Sequence, residues 1–148
     1  RMKLLLLCLM LVVGPVLVLG FGRQKVSVKG IVMCGDKPAK GVKVRLEDYD
    51  AGPDPDDELD EGESDSRGYF ELSGSAFEFG NIDPLLEIYH DCNDGITPCQ
   101  RVWKKQIPKK YIDLKEKGKK KDKYFDAGVI NLELEESSED RDCIHFFR

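Results

Sequence analysis

Residues 26–34 read Val26-Ser27-Val28-Lys29-Gly30-Ile31-Val32-Met33-Cys34, and residues 42–47 read Val42-Lys43-Val44-Arg45-Leu46-Glu47. Apolar and polar side chains alternate in both, with Val26, Val28 and Val32 on one parity of the first run. A period of two is what a strand with one buried and one solvated face requires. The second run predicts Val42, Val44 and Leu46 inward, and Lys43, Arg45 and Glu47 outward. Between the runs lies Gly35-Asp36-Lys37-Pro38-Ala39-Lys40-Gly41. Glycine there supplies positive φ and Pro38 presets a bend, so the two runs read as a hairpin.

Working toward the C-terminus, the acidic stretch from Asp48 to Asp65 contains Pro53 and Pro55. Two prolines and dense like charge exclude a central strand; the stretch reads as a solvated loop leading to a short edge strand near Leu59–Glu63. Asp65-Ser66-Arg67-Gly68 is a turn, and Tyr69–Ser73 resumes alternation with Phe70 and Leu72 inward. Leu85–Cys92 is a further strand, Asn93-Asp94-Gly95 a turn, and Cys99–Ile107 the returning strand, ended by Pro108. The lysine-rich residues 109–123 read as a loop with room for one helical turn. Phe125–Leu134 is the last strand, with Gly128, Ile130, Leu132 and Leu134 expected on one face, and a polar, charged tail follows it. About seven short strands without a long 3.6-residue period predict an all-β sandwich of Greek-key type.

Toward the N-terminus, Arg1 and Lys3 precede an uncharged run of 16 residues, Leu4–Leu19, and then Gly20-Phe21-Gly22. A basic start, an apolar stretch and small residues form a secretory signal, while a spanning helix needs about 20 apolar residues. Residues 1–22 are therefore expected to be a signal peptide, cleaved after Gly20 or Gly22, and residues 23–148 a single secreted domain. No second apolar segment follows, so no integral membrane anchor is expected in the domain.

Without residues 1–22 the chain holds 21 basic and 28 acidic residues, 21 − 28 = −7, which argues against nucleic acid as partner. Its charge is segregated: residues 47–65 hold eleven acids and no base, residues 104–123 ten lysines against three acids. Opposite poles follow if the fold keeps the segments apart. Cys34, Cys92, Cys99 and Cys143 remain after the signal, an even count that reads as two disulfides in an oxidising compartment, with three pairings open.

No catalytic, cofactor or metal constellation emerges. The chain has two histidines, His90 and His145, and His90 reads as a hydrogen-bonded strand residue. No Gly-x-Ser-x-Gly elbow occurs, and a cysteine nucleophile near His90 is removed if Cys92 is paired. Asp54, Asp56 and Glu58 alternate, but Leu59 stands where a calcium loop places glycine. The most function-like surface is the lysine cluster of Lys104, Lys105, Lys109, Lys110, Lys115, Lys117, Lys119, Lys120, Lys121 and Lys123, suited to anionic lipid headgroups or sulfated glycans.

The segments VSVKGIVMCGDKPAKGVKVRLED, GPDPDDELDEGESDSRGYFELSG, IDPLLEIYHDCNDG and CQRVWKKQIPKKYI, with the late RDC, resemble the nematode transthyretin-like family across residues 26–143. The resemblance implies a prealbumin-like sandwich, secretion, and a first strand parallel to the last main strand. It also implies the pairing Cys34–Cys143 and Cys92–Cys99. Hydrolysis of 5-hydroxyisourate, an activity found on this fold, is not expected: the first strand lacks histidine and the chain ends Ile144-His145-Phe146-Phe147-Arg148. The expected function is a non-enzymatic extracellular binding or signalling module that meets a cell-surface protein or an anionic lipid or glycan. The alternatives are a carrier of small hydrophobic ligands at oligomer interfaces, or an enzyme of unrecognised type.

Overall fold

The structure, a computed structural model, describes residues 21–49, 56–114, 123–136 and 139–144. The strands are β1 (Phe21–Cys34), β2 (Lys37–Pro38), β3 (Lys43–Asp48), β4 (Asp57–Glu63), β5 (Tyr69–Phe79), β6 (Pro84–His90), β7 (Gln100–Gln106), β8 (Asp113–Leu114), β9 (Tyr124–Asn131) and β10 (Asp140–Asp142), with one 3-10 turn at Lys109–Tyr111. Among the described residues, seven of these ten are full strands; β2, β8 and β10 are two or three residues long. They form two sheets. In sheet A, β1 lies between antiparallel β5 and parallel β9, and β2 and β8 add short pairings to its ends. Sheet B runs β10-β7-β6-β3-β4, all neighbours antiparallel.

Alternation places the core as predicted. Val26, Val28 and Val32 of β1, Phe70 and Leu72 of β5, Val44 and Leu46 of β3, and Leu86 and Ile88 of β6 are all buried between the sheets. Each such side chain contributes roughly 1.5–3 kcal/mol on burial, an upper range because unfolded chains already bury part of this surface. One side of the sandwich is closed: β5 meets β4, where Asp60 accepts a hydrogen bond from the Ser73 N–H at 2.8 Å. Gly74 fits there because a Cβ would stand 2.5 Å from the Leu59 carbonyl oxygen.

Three expectations are corrected. The first is the hairpin, because β1 and β3 lie in different sheets. The Gly- and Pro-containing link turns back only far enough for Lys37 and Pro38 to pair with Cys34 and Met33, then crosses to sheet B. The turn chemistry was real, but it closes a two-residue pairing rather than joining two full strands. The second concerns the last strand, which ends at Asn131, where a turn bonds the Leu134 N–H to the Asn131 carbonyl and leaves Leu134 exposed. Gly128, at φ 71°, sits in a bulge where the register with β1 shifts between Lys29 and Ile31. Phe125 and Ala127 before the bulge, and Ile130 and Leu132 after it, therefore all reach the core although their parities differ.

The third correction is the disulfide pairing, which joins Cys34 to Cys92 and Cys99 to Cys143. As the resemblance implied, β9 runs parallel to β1 and ends beside Met33. The chain then crosses to sheet B, where β10 pairs Asp142 with Gln100 and so carries Cys143 to Cys99. Cys92 keeps the inward parity of Leu86 and Ile88 and joins Cys34, which packs partly buried against the core. The β6–β7 ladder stops at His90–Arg101, and Cys99, at φ 72°, no longer faces Cys92.

The two charged loops also fail to form opposite poles at their bases. The stem of the acidic loop is tied to Asp83 by the Tyr49 N–H at 3.0 Å, and the basic segment leaves beside it, the Ile107 N–H bonding Pro84 at 2.8 Å and Lys109 pairing with Asp83 at 2.9 Å. Both depart from one end of sheet B; the disulfides sit at the other.

Candidate functional site

The outward face of sheet B is not the solvated face that alternation predicts. Arg45, Glu47, Glu87 and Tyr89 are all buried there. Register explains the arrangement: Glu61 on β4, Arg45 on β3, Glu87 on β6 and Lys104 on β7 are successive cross-strand partners, a row of alternating charge. Arg45 bonds Glu61 through Nη2 at 3.1 Å and Nε at 3.2 Å, Glu47 at 3.1 Å and the Tyr89 hydroxyl at 3.3 Å, and pairs with Glu58 at 3.2 Å. Tyr89 donates to Glu87 at 2.5 Å, and Lys104 reaches the other Glu87 oxygen at 3.0 Å.

The row opens into a pit of about 470 Å³. Five carboxylates line it, Glu47, Asp56, Glu87, Asp140 and Asp142, against three basic side chains, Arg45, Lys104 and Arg141. Burial and the neighbouring Glu87 push Glu47 above the usual carboxylate range, despite its bond to Arg45. Burial and the bond to Glu87 hold the Tyr89 hydroxyl well above its ordinary value. Burial opposes the charge on Arg45, but Tyr89, Glu61 and Glu47 outweigh it and keep the guanidinium charged. Sequence reading missed this site because it treated the outward positions of β3 as solvent-facing. The signal present was the same-parity spacing Arg45-x-Glu47 and Glu87-x-Tyr89.

A second buried charge cluster occupies the inward face near Cys92. Arg101 donates to the Cys92 carbonyl at 3.0 Å and grips one Glu139 oxygen at 2.8 and 2.6 Å. His90 accepts the Cys92 N–H on Nδ1 at 3.3 Å. Its Nε2 faces the other Glu139 oxygen at 3.9 Å, and neither atom has a hydrogen-bond partner among the described residues. Burial, then the Arg101 charge, push His90 down to about 4. The imidazole is therefore neutral at pH 7. Its strand role agrees with the expectation, and among the described residues no group of three or more His, Cys, Asp or Glu is placed to hold a metal ion.

Five of the ten lysines lie among the described residues. Lys104 is committed to the row on sheet B and Lys109 to Asp83. Lys105, Lys110 and Lys123 are exposed; Lys110 lies over the Tyr111 ring at 5.2 Å. Tyr111 in turn meets Phe125 edge-on at 5.2 Å, which sets the 3-10 turn against the start of β9. Lys115, Lys117, Lys119, Lys120 and Lys121 lie outside the described residues, as does Asp54 of the calcium alternative. Among the described residues, no helix is long and apolar enough to cross a membrane.

Two sheets enclosing one core, with β1 parallel to β9 and two disulfides, define a transthyretin-like sandwich. Residues 29–108 match the Transthyretin-like family, and the chain belongs to it. Among Caenorhabditis elegans relatives, it is 50% identical to transthyretin-like protein 33 over 122 residues, covering 82% of this chain and 83% of that one. It is 46% identical to transthyretin-like protein 5 over 144 residues, covering 97% and 100%. Transthyretin-like protein 2 is 45% identical over 143 residues, covering 92% and 95%.

Proposed function

We propose that the protein is a secreted, non-enzymatic binding module, with residues 1–22 as its export signal, and that it reads a cationic group of an extracellular partner in the pit on sheet B. The two disulfides and the family are compatible with life outside the cell. The observation that carries the reading is the buried row Glu61–Arg45–Glu87–Lys104 opening into a pit with more carboxylates than bases. Burying such a network costs stability unless every charge is matched, and here Glu47 shares its cation, Arg45, with Glu58 and Glu61. A guanidinium or ammonium group in the pit supplies another. Calorimetric titration of the oxidised protein with a hexa-arginine peptide tests the reading. Binding should weaken at least tenfold when Asp56→Asn and Asp140→Asn are combined, and weaken with salt. A titration indifferent to both changes sinks it.

A second reading places an anionic lipid or glycan on the lysine segment. It is favoured by the Tyr111–Phe125 contact, which sets the 3-10 turn that bears Lys110 against the start of β9, one residue after Lys123. Anionic vesicles that bind the wild type but not a variant with Lys115–Lys123 lysines changed to Gln would support it. Equal binding by both dismisses it.

A further inference from the structure

The two disulfides differ in exposure. Cys92 is buried and Cys34 is partly buried against the same core, whereas Cys143 is exposed and Cys99 is partly buried. Cys99 is also one of two described non-glycine residues at positive φ, a backbone conformation that L side chains adopt at a cost. The exposed bridge ties down β10, a three-residue strand on the open edge of β7. Strands that short seldom hold an edge by their own ladder. Ionic contacts also hold β10: Arg101 to Glu139, Lys104 to Asp140 at 3.8 Å, and Arg141 to Asp94 at 2.8 and 2.7 Å, with Arg141 also donating to the Cys99 carbonyl at 3.1 Å.

We propose that Cys99–Cys143 is a reducible latch: its reduction by a dithiol frees β10, bares the β7 edge and removes Asp140 and Asp142 from the wall of the pit, while Cys34–Cys92 stays intact. The reductant is a dithiol of the thioredoxin chemical type. One thiolate attacks the exposed Cys143 Sγ, the Sγ–Sγ bond breaks, and Cys99 leaves as thiolate and takes up a proton. The second thiol then attacks the mixed disulfide, releases the Cys143 thiol, and the dithiol departs as its own disulfide. Two electrons pass from the dithiol to the protein. Rates in such exchange follow access to the attacked sulfur, and Cys143 is the exposed member of the four cysteines, while Cys92 is buried and Cys34 is packed against the core. The latch stands whether or not the pit takes a cation.

The test is graded dithiothreitol treatment of the native, oxidised protein without denaturant. Differential alkylation then reads each cysteine by mass spectrometry, and amide exchange reads the backbone. Cys99 and Cys143 should be alkylated at least tenfold faster than Cys34 and Cys92. Exchange across residues 139–144 and 100–102 should rise about 100-fold, as expected for a segment released to local opening, with β1 and β6 unchanged. Cys99→Ser/Cys143→Ser should reproduce this exchange pattern without reductant. Simultaneous labelling of all four cysteines overturns the proposal, and so does continued protection of β10 in either reduced wild type or the variant.

Discussion

The outward faces of the two sheets carry the same kinds of side chain to different ends. On sheet A, Lys29 stands 3.9 Å from Asp126, with side chains 41% and 64% exposed. On sheet B, Arg45 stands 3.1 Å from Glu47, with side chains 9% and 11% exposed. Water and salt screen the first pair, so it contributes little. The second has lost its water and depends on its partners to replace it. The carboxylates register the contrast. Bonds from the Tyr69 and Tyr124 hydroxyls hold Glu71 on sheet A below the usual range, whereas burial and Glu87 hold Glu47 on sheet B above it. Residue type alone says nothing about which face is a site; desolvation does.

The largest effect should come from breaking the buried row at its hub. Arg45→Met leaves Glu47 buried without its cation, and removal of one partner of such a pair costs about 3–5 kcal/mol. A urea midpoint should move accordingly with an unchanged slope. Adding Glu47→Leu to Arg45→Met should restore most of the loss, since Glu58 and Glu61 are exposed enough to regain water. If the single and double variants fall equally, Arg45 acts through packing and the contrast between the faces is not electrostatic.

Acid should act next, through the other buried cluster. An unfolded histidine titrates near 6.5, and His90 in the fold is down at about 4. Between those values the unfolded chain holds more protons, so stability is complete above about 6.5 and falls as the pH is lowered toward 4. The two values differ by enough for about 3 kcal/mol in all. His90→Asn should flatten that slope in chemical denaturation measured from pH 7 to pH 4. The same slope persisting in the variant would assign it to other groups.

Much of this architecture was legible because period-two patterning reports burial directly. Val26, Val28, Val32, Val44, Leu46, Phe70 and Leu72 all lie where their parity puts them. What escaped was what the sequence spreads over distant positions. Whether β3 pairs with β1 depends on partners far along the chain, not on the Gly35–Gly41 link. An isolated Gly128 inside a strand pattern is a known bulge signal, and reading it would have kept Phe125 and Ala127 in the core. The positive φ of Cys99 has no local sequence mark, so the pairing of the cysteines did not follow from their spacing. The charged row was hidden for a related reason: Arg45, Glu61, Glu87 and Lys104 become neighbours only through three strand registers.

The smallest effects belong to sheet A. NMR titration should place Glu47 above 4.5 and Glu71 below it, the two moving apart from the same ordinary value. Arg45→Met should raise Glu47 further, because Arg45 is what lowers it, and leave Glu71 where it is. Lys29→Met, the counterpart of Arg45→Met, should change stability by no more than about 0.5 kcal/mol, as exposed pairs do. Lys29 also lies over the Tyr124 ring at 5.9 Å, too exposed for that contact to add much. A loss near that of Arg45→Met would mean that the face of sheet A is covered in solution. The same urea titration at low and high salt decides it, because an exposed pair responds to salt and a covered one does not.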